Sequence, residues 1–232
     1  MTKYSRYAVY YAPRQGRFAS AAAAWLGRDC ETGEAIAQPT VDGLKEDLQS
    51  LTTKPRKYGF HGTLRAPFQP ADGQDAATIA AAVADMASRL APAQCEGLEI
   101  GNPYGFGLAF KPIGDETKIL ELAASVVEGT DGLRAPVSPE EFARRDAAER
   151  LTPRQRALYE RWGYPMVMEE LSFQLTLTNK IEQQLELALH DAITRHFCGL
   201  FPVPFLIEDL CLFGEEAGSG MFRLLNRYPL MG

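Results

Sequence analysis

The chain has no run approaching the ~20 consecutive apolar residues that a bilayer-spanning helix needs. Its opening, "MTKYSRYAVYYAP", also lacks the long apolar core of a secretory leader. Both absences predict a cytoplasmic protein with no membrane partner. Cysteine is scarce and scattered: Cys30, Cys95, Cys198 and Cys211 form no CxxC and no Cys/His group. That spacing argues against a zinc site and against a disulfide framework, and predicts reduced, buried thiols. Positive charge is in deficit, with 24 Lys and Arg against 30 Asp and Glu and a formal charge of −6. Nonspecific nucleic-acid binding rests on cations neutralising phosphates, so it is not expected here. A small anionic ligand in a local basic pocket stays open, as does the oligomeric state.

What the chain does have is core-forming material and a repeat. At 232 residues and 46% hydrophobic it can bury a substantial core. "RYAVYYA" (6–12) is aromatic and β-branched and reads as a strand, and "RFASAAAAWLG" (17–27) as a helix closed by Gly27. A short amphipathic helix is predicted over 41–51, and a strand over "KYGFHGTLRA" (57–66), ended by Pro67. Asp75 is an N-cap candidate for a helix in which Ile79, Val83, Met86 and Leu90 recur at helical spacing. Two short strands, "GLEIG" and "GFGLAFKP", precede another helix at 115–129. Residues 131–162 are charged and punctuated by proline, and read as a helical insertion or connector whose two helices are capped by Ser138 and Thr152. A strand over 170–178, a helix over 182–197 and two final strands, "PFLIEDLCLF" and "MFRLLNRY", complete the chain.

The order repeats. Strand, long helix and two strands run from 58 to 111 and again from 171 to 228. The expected fold is therefore α+β: one domain over 1–232 made of two pseudo-symmetric lobes, each a strand-helix-strand-strand unit, about a central cleft. The first strands of the units carry matching sequences, "FHGTL" and "FQLTL". In a strand alternate side chains share a face. His61, Thr63 and Arg65 should thus oppose Phe60, Gly62 and Leu64, while Gln174, Thr176 and Thr178 should oppose Phe173, Leu175 and Leu177. A single such tripeptide is common by accident and would be read as a half-buried strand meeting water. Two copies with matching flanks and matching following elements make a shared polar site the better reading.

"YGFHGTLRAPF" and "FQLTLT" resemble the paired H-x-T/S-L signatures of the 2H phosphoesterase superfamily, which includes RNA cyclic phosphodiesterases and ligase-like (LigT-like) proteins. The blocks "RYAVYYAP", "AWLGRD", "RAPVSPEEFARR", "LTPRQRALYERWGYPMVMEE" and "FRLLNRYPL" resemble the DUF1045 group, proteins often encoded near phosphonate-degradation genes. The resemblance covers nearly the whole chain. It implies an active site in the cleft between lobes, no cofactor and no metal. Two histidines there exchange protons with the attacking and leaving oxygens, and the hydroxyls two residues later bind phosphate oxygens. Carried onto this sequence, His61 is the first histidine, and Thr63 and Thr176 are the hydroxyls.

Gln174 departs from that pattern. Its amide can hydrogen-bond a phosphate oxygen or a water but has no accessible pKa. Three readings follow: a natural binder that does not hydrolyse, a site with a different second acid or base, or a histidine deliberately replaced to leave an inactive form. The intact surrounding blocks favour the last. Arg65 is a candidate phosphate partner or else a solvated strand-end cation. Tyr10 or Tyr11, and Arg223, are candidate cleft residues raised by the resemblance, with parity not deciding between the tyrosines. His190 and His196 lack the i, i+3 or i, i+4 spacing of helical metal ligands and are read as structural or solvent-facing. The expected function is metal-independent hydrolysis of a small cyclic phosphodiester, with a ribose cyclic phosphate of phosphonate breakdown the most concrete substrate. The alternative is a noncatalytic phosphate or nucleotide binder of the same fold.

Overall fold

The first strand, β1 (Tyr4–Tyr11), is where the sheet is organised, because its alternate residues enter two different apolar clusters. A computed structural model describes residues 4–41, 44, 46–105 and 107–232, the side chain of residue 104 excepted. After β1 come helices α1 (Arg17–Leu26), α2 (Leu48–Leu51) and α3 (Thr53–Tyr58), then β2 (Gly62–Phe68), α4 (Ala76–Ala87), β3 (Ala93–Cys95), β4 (Gly97–Gly101), β5 (Ala109–Ile113) and α5 (Thr117–Gly129). The second half contains α6 (Pro139–Glu149), α7 (Pro153–Trp162), β6 (Leu175–Thr176), α8 (Gln183–His196), β7 (Phe205–Ile207), β8 (Asp209–Glu216) and β9 (Phe222–Pro229). This is a mixed α+β protein. Its main sheet has seven strands among the described residues, in the order β4-β5-β6-β2-β1-β8-β9, and every pairing is antiparallel.

The duplication shows in which elements meet. The two motif strands, β2 and β6, are neighbours in the sheet, and β3 and β7, which follow the two long helices α4 and α8, pair with each other in a separate two-stranded sheet. Equivalent elements thus pair twice, as a pseudo-twofold relation requires. The hairpins are exchanged: β4–β5 of the first unit lies on β6, while β8–β9 of the second reaches β2 through β1. β2 and β6 share only the pair Gly62↔Leu175, so the sheet consists of two wings joined at a narrow seam.

One face of the sheet carries most of the core. Tyr7, Val9, Tyr11, Phe60, Leu64, Phe173, Leu175 and Leu177 pack there with Ile79 and Val83 of α4, Ile119 and Val126 of α5, and Leu189 and Ile193 of α8. Burying each of these large side chains contributes roughly 1.5–3 kcal/mol. The caps agree with the sequence: Gly27 closes α1 in the left-handed conformation, Asp75 accepts from Thr78 N, and Ser138 and Thr152 cap α6 and α7. On α8, His196 Nε2 donates to the Ala21 carbonyl at 2.8 Å and ties that helix to α1, whereas His190 is exposed.

Several expectations are corrected. The helix predicted over 41–51 shrinks to α2 capped by Asp47, and its residues 42, 43 and 45 lie outside the described residues. Lys57 and Tyr58 belong to α3, not to a strand, because Gly59 at φ 79° turns the chain sharply before β2. β2 continues past Pro67 to Phe68, since the β1–β2 register slips there and the missing N–H has no ladder position to fill. The strand predicted over 170–178 is only Leu175–Thr176. Thr178, expected beside Thr176, is instead buried at the strand end, accepting from Leu108 N at 2.8 Å. Cys95 and Cys211 are buried, Cys30 is half-buried and Cys198 is exposed; all four are free.

Candidate active site at the seam of β2 and β6

The single pair Gly62↔Leu175 decides what stands on the opposite face of the seam. Continued by one residue on either side, that register would set His61 across from Thr176 and Thr63 across from Gln174; all four are half-buried and alternate with fully buried neighbours. His61 and Gln174 are then diagonal neighbours, a relation that separates Cβ atoms by about 7–8 Å. The two motifs that carry His61, Thr63, Gln174 and Thr176 are therefore on adjacent strands of one sheet. The seam closes because residue 62 has no side chain: a Cβ there would lie 2.3 Å from the Phe173 ring.

His61 is held in one tautomer. Its Nδ1 lies 2.9 Å from the Gly59 carbonyl, which can only accept, so Nδ1 carries the proton and Nε2 is left with its lone pair. Gly59 can present that carbonyl because it ends α3 with positive φ, and because its missing side chain leaves room for Cys30, whose Cβ would be 2.5 Å away. The imidazole is half-buried and lies against Tyr10, with ring centroids 4.0 Å apart, and beside Tyr58 at 5.8 Å. Burial pushes its pKa down to about 4, opposed by the Gly59 hydrogen bond, which favours the charged form. His61 is neutral at pH 7, the state a general base needs.

The sign of this shift gives an expected result. A folded pKa below the unfolded value of ~6.5 means that the unfolded chain binds the extra proton first. The stability that His61 contributes is complete above about pH 6.5 and is lost as the pH falls toward about 4. In an NMR titration the His61 ring should show its midpoint near pH 4. A midpoint near 6.5 would show that the enclosure by Tyr10 and Tyr58 does not exclude water from the ring.

Gln174 is half-buried and its Oε1 is buried without a hydrogen-bond partner, an acceptor left open on the face it shares with His61. An unpaired buried carbonyl costs roughly 1–3 kcal/mol, which a donor on a ligand would offset.

The other candidates divide between the two faces and the outer strand. Tyr10 belongs to the His61 face, while Tyr11 belongs to the main core, edge-on to Phe205. Arg65 is corrected. A bulge between its pairing and that of Thr63 sets it opposite Val9, so alternation no longer carries it into the His61 row. It is 1% exposed, donates from Nη1 to the Trp162 carbonyl at 2.8 Å and lies over the Phe68 ring, so it is not a solvated cation. Burial lowers its pKa to about 10. Arg223 lies on the outer strand β9, donating to the Glu31 carbonyl at 3.1 Å and paired with Glu216 at 3.5 Å.

Residues not singled out from the sequence frame the site. Arg6 binds Glu215 through two hydrogen bonds of 2.6 and 2.7 Å, and Lys57 approaches the same carboxylate at 3.2 Å. Held mainly by Arg6, Glu215 titrates down at about 2. Two cations on one buried carboxylate leave a net positive charge near Tyr10 and Tyr58. Alternation along β1 from Tyr10 back to Arg6 was a usable signal for this cluster; nothing local marks Glu215. Among the described residues no group of three or more His, Cys, Asp or Glu is placed to hold a metal ion, and no helix is long and apolar enough to cross a membrane.

Residues 63–223, which include Thr63, Gln174, Thr176 and Arg223, match the family described as "Protein of unknown function (DUF1045)". The chain belongs to the DUF1045 family. This DUF1045 chain is 33% identical over 238 residues to "Ribose 1,5-bisphosphate phosphokinase PhnN" of Janthinobacterium sp. (strain Marseille), covering 98% of this chain and 51% of that relative. It is 32% identical over 227 residues to the protein of the same name from Laribacter hongkongensis (strain HLHK9), covering 94% and 50%. The DUF1045 chain thus spans about half the length of the curated relatives it matches. Among solved structures it is similar to the crystal structure of TT0787 of Thermus thermophilus, with a TM-score of 0.46, 14% identity and 98% of both chains covered.

Proposed function

We propose that this DUF1045 protein carries a metal-independent phosphoesterase-type site for a small phosphorylated substrate of phosphonate metabolism, with a ribose cyclic phosphate as the substrate class. The observation that carries this reading is the seam quartet: a neutral imidazole with a free Nε2, two hydroxyls and an amide on one sheet face. In the proposed reaction His61 Nε2 takes the proton of the attacking water, and the Thr63 and Thr176 hydroxyls donate to the nonbridging phosphate oxygens. The P–O bond to the leaving ribose oxygen breaks as the new one forms. That leaving oxygen needs a proton, and Gln174 occupies the position from which a second imidazole would give it.

The curated relatives are named for a phosphokinase acting on a ribose bisphosphate, which supports a phosphorylated pentose as the shared chemistry. The sequence contains no G-x-x-x-x-G-K-[ST] loop. We therefore assign kinase chemistry to the unmatched half of those relatives, and a linked phosphoester step to the half represented here. The unpaired Gln174 Oε1 favours a second reading, a binder that recognises a phosphorylated ligand without turning it over.

The experiment is a hydrolysis assay of the Gln174→His variant on 2′,3′-cyclic nucleotides and ribose 1,2-cyclic phosphates, with and without excess chelator. Phosphate is held here by hydroxyls and the proton is moved by imidazole, so turnover should persist in EDTA. Activity lost to EDTA and restored by a divalent ion would place the chemistry at a different centre.

A further inference from the structure

Beside the seam, a cavity of about 400 Å³ lies between the first turn of α1 and the loop that follows that helix. The quartet does not itself line the cavity, but two of its neighbours do: Phe60 directly precedes His61, and the β1–β2 register that pairs Tyr11 with Gly62, continued by one residue, would set Ala12 across from His61. Arg28 lines this cavity. It is only 6% exposed, yet its Nη1 has no hydrogen-bond partner, and burial lowers its pKa against the opposing pull of Cys30, Glu216 and Asp29.

The second feature is α1 itself. Its N-cap is Gly16, which supplies no capping side chain, and its first turn holds no acidic residue. Gly16, Ala19 and Ser20 all line the cavity, so the first turn and positive end of a ten-residue helix border it. The acids at the cavity wall are committed elsewhere. Glu31 is bound by Arg227 at 2.6 Å and by Gln15 at 3.1 Å, and Asp29 Oδ1 accepts the backbone N–H groups of Glu31 and Thr32.

We propose that this cavity is an anion subsite for the phosphate monoester of a sugar phosphate. A substrate engaged through its reacting phosphate at His61, Thr63 and Thr176 is anchored there by a second phosphoryl group on Arg28 and the start of α1. The anchoring role rests on the phosphoesterase reading above; binding at Arg28 does not.

The test uses calorimetry on the whole chain with ribose 5-phosphate, ribose and inorganic phosphate as probes. Ribose 5-phosphate should bind and ribose should not. Arg28→Met should weaken ribose 5-phosphate by ~10-fold or more, as expected for losing a charge-assisted contact. Ser20→Asp should do the same. A carboxylate in the first turn favours the helix, so a loss in that variant cannot be put down to unfolding. His190→Ala, an exposed change on α8 away from the cavity, should leave this binding within about twofold. Inorganic phosphate binding that needs Arg28 as strongly as ribose 5-phosphate does would support the anion subsite and identify free phosphate as a ligand. Binding unchanged in both Arg28→Met and Ser20→Asp would overturn it. The two proposals separate in the Gln174→His background. If that variant hydrolyses nothing while ribose 5-phosphate binding still requires Arg28, the catalytic reading fails and the subsite stands. If it hydrolyses ribose cyclic phosphates with a KM indifferent to a second phosphate and to Arg28→Met, the subsite fails and the catalytic reading stands.

Discussion

Gln174→His should raise cyclic phosphodiester hydrolysis by ~10²-fold or more, and adding His61→Ala should abolish the gain. The expected magnitude follows from the chemistry at the seam. His61 is already neutral, oriented by the Gly59 carbonyl and diagonal to residue 174. In the proposed reaction the pair lacks a group able to give a proton to the leaving oxygen, and one well-placed acid or base is worth ~10²–10⁴ in rate. Glutamine and histidine have similar reach, and the Gln174 Oε1 has no protein partner to lose, so the replacement leaves the neighbouring contacts in place. Rates on the panel of cyclic nucleotides and ribose cyclic phosphates read the result. Equal turnover by the chain as it stands would mean that another residue supplies the second proton. No turnover by either, with tight binding of a phosphate ligand by both, would establish the binder reading.

Gly62→Val should damage both the fold and the site. A Cβ at residue 62 would lie 2.3 Å from the Phe173 ring, and the ring cannot retreat easily because it is 1% exposed within the main core. Overpacking of this kind typically costs about 1–3 kcal/mol. Because Gly62↔Leu175 is the one pair joining β2 to β6, the displacement falls on the contact that sets His61 beside Thr176 and Thr63 beside Gln174. The denaturation midpoint should drop, and in the Gln174→His background activity should be lost under conditions where the variant remains folded. A companion Phe173→Leu change, which clears the ring, should recover part of the stability. A Gly62→Val protein with the parent's midpoint and activity would show that the seam does not depend on this contact.

Much of this organisation was present in local pattern alone. Helix limits followed from Gly27, Asp75, Ser138 and Thr152, because a cap acts on its own turn and needs no distant partner. The α+β class and the repeat followed from element order, and the alternation of half-buried His61, Thr63, Gln174 and Thr176 with buried neighbours from the two-residue period of a strand. Those are properties of chain geometry over a few residues. Tertiary structure decided the rest. Alternation assigned Arg65 to the His61 row, but it is valid only while the register is unbroken, and the bulge against β1 removed Arg65 from that row and left it buried beside Trp162. Parity left Tyr10 and Tyr11 equivalent until β2 paired with β1 and gave Tyr10 to His61. The exchange of hairpins, the Arg6–Glu215–Lys57 cluster and the burial of Arg28 with its Nη1 unpartnered arise from contacts between residues far apart in the chain. Local periodicity carries no information about such contacts, since they depend on which surfaces meet after the two halves close on the seam.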